Sequence, residues 1–143
     1  MNTFDELYQE IIMDHYRRPR GTARLDHLPD SLVLENPTCG DSIKLEVLLD
    51  AAGAIADVRH QGQGCAISTA SASLMTEYTR GMSPGEARKV ALRFVGALRG
   101  EGDLSTLDEM GDIVALKGVA GLPVRVKCAT LAWHALLKAL PGA

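Results

Sequence analysis

Phe4, Leu7, Tyr8, Ile11 and Ile12 recur at helical spacing, and Thr3 with Glu6 forms a capping box ahead of them, so the pattern predicts a first helix over about residues 4–16. Pro19 and Gly21 stop it, while Arg17, Arg18 and Arg20 read as a solvated basic end that suits the helix dipole. Residues 22–30 show no periodicity and read as a loop. Residues 31–35, with Leu32 and Leu34 between polar neighbours, predict a short edge strand. Ile43, Leu45, Val47 and Leu49 alternate with Ser42, Lys44, Glu46 and Leu48, the pattern of a half-buried strand with one apolar face. A turn over residues 50–53 then returns the chain in an antiparallel strand, about 55–61, whose end comes back beside Asp41.

Ile67, Ala70, Leu74 and Tyr78 share one face of a helix that opens at Gly62-Gln-Gly-Cys65, with Cys65 at its cap or in its first turn. Ser68, Ser71 and Ser73 are poor interior helix formers and read as small side chains packed against the sheet. Ser83-Pro-Gly-Glu86 is a capping box with proline at the first helical position, followed by an apolar stripe through Ala87, Val90, Ala91, Phe94, Val95 and Leu98. Gly100 and Gly102 end that helix. Ser105 with Asp108 predicts a short helical turn, and residues 113–116 are apolar but too few to type. Residues 123–140 are apolar on nearly all sides around Trp133 and predict a central buried helix with Cys128 in its second turn.

A chain of 143 residues is about one domain long, so residues 1–143 are expected to form a single domain. Its net charge of −3 provides no basic field for nucleic acid. The acidic start, Met-Asn-Thr-Phe-Asp-Glu, is unlike a signal peptide, and no apolar run approaches ~18 residues, so a cytoplasmic protein without a membrane span is expected. Three cysteines in a reducing compartment point to metal binding or thiol chemistry rather than disulfides.

The chemistry centres on Asn36-Pro-Thr-Cys-Gly-Asp41, where Pro37 and Gly40 shape a turn that lets Cys39 and Asp41 face one point. Cys65 at a helix start meets unpaired N–H groups that favour a thiolate. Cys39, Cys65, Cys128 and Asp41 are four anionic donors, the number a tetrahedral zinc takes, and thiolate is also the usual ligand of iron–sulfur clusters. With no Cys-x-x-Cys pair, spacing alone fits three separate buried cysteines equally well. The glycines beside Cys39 and Cys65 favour ligands, because an apolar core residue has little to pack against at such turns. His15, His27, His60 and His134 are rival ligands, each more commonly a satisfied polar or core residue, with His60 placed nearest the Cys65 turn. Arg125, one helical turn before Cys128, puts a cation on the same side.

These residues carry a resemblance. Asn36-Pro-Thr-Cys-Gly-Asp41, Gly62-Gln-Gly-Cys65-Ala-Ile-Ser68 with Thr76-Glu77, and a cysteine near the start of the final helix together resemble the IscU/SufU/NifU N-terminal family of iron–sulfur cluster assembly proteins, over nearly the whole chain. The resemblance implies an α+β fold, a small three-stranded antiparallel sheet backed by helices, with Cys39, Asp41, Cys65 and Cys128 as the site. IscU-type members carry histidine where this chain has Lys127, and a Leu-Pro-Pro-Val-Lys chaperone segment where it reads Leu122-Pro-Val-Arg-Val-Lys127. The stretch between the second and third cysteines is also longer, around residues 100–118. These features are similar to the SufU branch, which implies a zinc-dependent sulfurtransferase accepting persulfide sulfur from the cysteine desulfurase SufS and serving a downstream Suf scaffold. The alternative implied is an IscU-type scaffold holding a transient [2Fe–2S] cluster or iron. On the SufU reading Arg125 engages the desulfurase. Cys39 is the expected acceptor, because a site filled by four protein ligands reacts only when one leaves, and Cys39 lies on a turn that moves more easily than helical Cys128.

Overall fold

Strands β2 (Asp41–Leu49) and β3 (Ile55–Gln63) pair antiparallel from Ser42↔Gln63 to Leu49↔Ile55, with an irregularity at Leu48/Leu49. Strand β1 (Leu34–Asn36) lies on the other edge of β2 and places Asn36 opposite Asp41, giving the sheet order β1-β2-β3. Around this sheet the computed structural model, which describes residues 3–141, sets α1 (Thr3–Arg17), α2 (Ala66–Thr79), α3 (Pro84–Leu98) and α4 (Pro123–Ala139). The result is the α+β arrangement expected, a three-stranded antiparallel sheet backed by helices.

The core gathers Ile43, Leu45 and Val58 from the sheet with Leu74, Met75, Phe94, Leu98, Trp133 and Leu136 from the helices. Trp133 stacks on Phe94 with ring centroids 4.5 Å apart and donates its indole N–H to Ser71 Oγ, which donates in turn to the Ala129 carbonyl. A serine buried in mid-helix is thus satisfied, and it fastens α2 to α4. Ser83 and Glu86 form the capping box of α3 as the sequence indicates. The box at Thr3 and Glu6 turns on the Thr3 side chain, which lies outside the described residues.

Several expectations are corrected. The edge strand is displaced to Leu34–Asn36, because Asp30–Leu32 closes a 3₁₀ turn after Pro29. Leu49 is exposed, since the sheet runs out beyond the Leu48 irregularity, whereas Lys44 is buried and its Nζ donates to the carbonyls of Leu25 and Leu28. The cap of the next turn is Asp103, whose carboxylate accepts from Ser105 N, and the untyped apolar stretch is a 3₁₀ helix, Gly111–Val119. Helix α4 is buried through its middle, but His134 points to solvent. Arg20 is no loose helix end. Its guanidinium joins Asp14 to Glu77, its N–H donates to Ser73 Oγ, and its carbonyl accepts from His60 Nε2.

Candidate metal centre

Three elements converge at one end of the sheet. The first is the turn between β1 and β2. The Asn36 carbonyl accepts from Cys39 N at 3.2 Å and from Gly40 N at 2.9 Å, and Gly40 takes a φ of +72° that a side chain would strain. Cys39 sits half-buried on this turn, and Asp41 follows as the first, buried residue of β2. The second element is the start of α2, where Cys65 is the N-cap and is exposed. Its N–H donates to Asp41 Oδ1 at 2.9 Å, and its Sγ lies 4.0 Å from Asp41 Oδ2. The third is α4, whose second turn buries Cys128 with its Sγ 3.0 Å from Cys39 Sγ.

Ligand atoms of Cys39, Asp41 and Cys128 all lie within 4.8 Å of one another, the only such group of acidic, cysteine and histidine residues found among the described residues. Cys65 stands outside that tight group and touches it through Asp41. Burial pushes the Cys128 thiol far above the usual thiol range, and hydrogen bonding with Cys39, Asp41 and Cys65 pushes it the same way. A cation reverses that preference, since thiolate ligation releases the proton. Two thiols and a carboxylate this close, with the Cys65 thiol beside the carboxylate, suit a single four-coordinate ion such as zinc.

The histidines stay away from the cluster. His60 is buried and donates through Nε2 to the Arg20 carbonyl at 2.7 Å. His15 lies 2.6 Å from Ser73 Oγ, and His27 lies 2.8 Å from Glu46. Arg125 and Lys127 are exposed and make no ion pair among the described residues. Leu122 and Val124 beside them are 48% and 53% exposed, so an apolar and basic rim flanks Cys39.

Three residues beyond the four candidate donors contribute, and of these only Gly64 was signalled by the sequence. Asn36 is buried, with Nδ2 3.9 Å from Cys128 Sγ. Ser68, read as packing, places Oγ 3.8 Å from Cys65 Sγ. Gly64 leaves no room for a side chain, because a Cβ there would meet Ser68 Oγ and would stand 2.6 Å from Asp41 Oδ1. The signal for Gly64 was present in the Gly-Gln-Gly-Cys spelling, where close backbone approach needs glycine. Asn36 carried no signal apart from its place beside Pro37.

Fold and site together define a protein that gathers thiols and one carboxylate around the open end of a small sheet. The chain belongs to the NifU-like N-terminal domain family, whose model matches residues 7–141. It is 43% identical over 136 residues to the zinc-dependent sulfurtransferase SufU of Bacillus subtilis, covering 94% of this chain and 89% of that protein. It is 40% identical over 140 residues to the iron–sulfur cluster assembly scaffold protein IscU of Streptococcus pyogenes, covering 98% and 86%. A solved chain from Fervidobacterium islandicum, described as a candidate cluster assembly scaffold for the SUF system, superposes with a TM-score of 0.75 at 33% identity, covering 95% and 98%. No helix among the described residues is long and apolar enough to cross a membrane.

Proposed function

We propose that this chain is a zinc-dependent sulfurtransferase of iron–sulfur cluster assembly, receiving persulfide sulfur from a cysteine desulfurase of the SufS type in the cytoplasm and serving a downstream Suf scaffold. Cys39, Asp41, Cys65 and Cys128 would hold the zinc, whose contribution is to keep the thiols deprotonated at neutral pH. The observation that carries this reading is the 3.0 Å approach of Cys39 to Cys128 with Asp41 in the same 4.8 Å group. Three donors that close share one ion, and Cys65 completes the set through the approach of its Sγ to Asp41 Oδ2 at 4.0 Å. The name of the Bacillus relative supports the same choice.

Cys39 is the acceptor. Cys128 is buried in α4, and Cys65 is tied at the cap of α2 by its N–H to Asp41, while Cys39 rides a short turn at the protein surface. Its thiolate attacks the terminal sulfur of the desulfurase persulfide. A new S–S bond forms on Cys39, the old one breaks, and the electron pair leaves on the desulfurase cysteine as thiolate. Arg125, whose guanidinium makes no ion pair among the described residues, offers it to the incoming partner, a role suited to a planar, always charged group.

Exposure alone favours Cys65 as acceptor, and the IscU name of the Streptococcus relative favours a [2Fe–2S] cargo. One experiment separates these readings. Protein purified without added metal is analysed for zinc, then mixed with the desulfurase and cysteine. Stoichiometric zinc, with stimulation lost in Cys39→Ala, is expected. Efficient transfer of a reconstituted cluster by a protein whose zinc form is inert would replace this reading with the scaffold.

A further inference from the structure

Cys39 and Cys128 present a problem that distance does not solve. Their sulfurs are 3.0 Å apart, so an electrophilic sulfur that reaches one is nearly in contact with the other. Position favours Cys39, and at this separation a second factor must hold the new S–S bond there. Burial of Cys128 contributes, but its sulfur still shares a surface with half-buried Cys39.

Asn36 is the residue placed to decide it. The residue is 6% exposed, and the only hydrogen-bond contact of its side chain among the described residues runs from Nδ2 to Cys128 Sγ at 3.9 Å. Its backbone carbonyl accepts from the N–H groups of Cys39 and Gly40, and it faces Asp41 across the β1–β2 pairing. One residue therefore touches the mounting of three of the four donors. An N–H that donates to a thiolate withdraws charge from the sulfur and lowers its nucleophilicity. Among the described residues Cys39 Sγ receives no side-chain amide, and the Val124 carbonyl, 4.0 Å from Cys39 Sγ and 3.6 Å from Cys128 Sγ, donates to neither. The two sulfurs are thus made unequal by a single amide.

We propose that Asn36 is a positioning residue that quiets Cys128 by hydrogen bonding to its sulfur, so that Cys128 is the ligand retained and Cys39 is the thiolate that reacts. This rests on the sulfur-transfer reading for its biological use, but the inequality of the two thiols is measurable without a desulfurase. Loss of a residue behind a metal ligand typically costs ~10–100-fold in affinity or activity, which sets the size of effect to look for.

The test uses the zinc-loaded full chain. Wild type, Asn36→Leu, which keeps the bulk and removes the donor, and Asn36→Ala are treated with limiting iodoacetamide, and labelling at each cysteine is followed by peptide mass spectrometry. The Cys128-to-Cys39 labelling ratio should rise about tenfold in both variants, at the lower end of that range. A loosened turn would raise Cys39 labelling instead, and an unchanged or lower ratio in variants that keep their zinc overturns the proposal.

A second readout needs no variant, so failure of the variants to fold does not protect the idea. Asn2 and Asn36 are the only asparagines in the chain, so ¹⁵N-asparagine labelling yields two side-chain amides. In protein loaded with ¹¹³Cd, the Asn36 amide proton should couple to the metal through Cys128 sulfur. Absence of that coupling in the ¹¹³Cd-loaded protein overturns the proposal. If the coupling is present and no sulfur ever reaches the wild type, the sulfur-transfer reading fails while Asn36 keeps its place at the thiol. If sulfur lands on Cys39 equally in Asn36→Leu, this inference fails and that reading stands.

Discussion

Asp41 Oδ1 accepts the backbone N–H of Cys65 at 2.9 Å, which joins the first residue of β2 to the cap of α2 and aims the second carboxylate oxygen toward the cysteine sulfur. A single carboxylate thereby sets the spacing of two elements distant in sequence. Gly64 permits this approach. Gly64→Ala should push Asp41 away and weaken zinc binding by roughly 10–100-fold, as loss of a supporting contact does. Competition with a chromogenic zinc chelator measures the change, and an unaltered affinity would show that the contact is incidental.

Metal and fold should be coupled, because the centre joins the β1–β2 turn, α2 and α4. At about a thousandfold excess over Kd a ligand adds ~4 kcal/mol. At roughly 4 °C per kcal/mol for a chain of this size, chelation should lower Tm by about 15 °C. A melting curve unchanged after confirmed metal removal would mean that the helices hold the centre unaided.

His60 links stability to pH. Burial depresses its pKa below the ordinary histidine value, against the smaller opposing effect of its bond to the Arg20 carbonyl. A histidine that stays neutral when folded but protonates when unfolded contributes stability that is complete above about pH 6.5 and is lost as pH falls toward its depressed folded value. His60→Gln keeps a donor for the Arg20 carbonyl and does not titrate. Tm measured from pH 7.5 down to pH 5 should fall less steeply in this variant, and parallel curves would refute the assignment.

Arg125 should act on the partner alone. It is exposed, lacks an ion pair among the described residues and never serves as a metal ligand. Arg125→Ala should leave zinc content and Tm nearly unchanged while raising the concentration needed for half-maximal desulfurase stimulation about tenfold, the effect of ~1.4 kcal/mol. Loss of zinc in this variant would place Arg125 in the centre itself.

The sequence disclosed the frame of this site more fully than its fine structure. Alternation in β2 and the capping of α3 were readable because each follows from a local period or a local hydrogen bond. Lys44 and Arg20 were not, since Lys44 is held by carbonyls of the loop before β1 and Arg20 by a carboxylate of α2, both distant in sequence. The four candidate donors could be named from turn and helix-start contexts together with the family resemblance, and three of them, Cys39, Asp41 and Cys128, lie within 4.8 Å of one another. Asn36 could not be named, because the contact that matters spans 92 residues to α4. His134 is exposed on a helix read as apolar on nearly all sides, because the side of α4 that carries it meets solvent.

The central claim is that sulfur arrives on Cys39. Zinc-loaded protein is incubated with the desulfurase and cysteine, trapped with an alkylating reagent, and digested under non-reducing conditions for mass mapping of the three cysteine peptides. One extra sulfur is expected on the Cys39 peptide, with the Cys65 and Cys128 peptides unchanged. Extra sulfur on Cys65 or Cys128 while the Cys39 peptide stays unmodified, or none on any peptide while the desulfurase turns over, would contradict it.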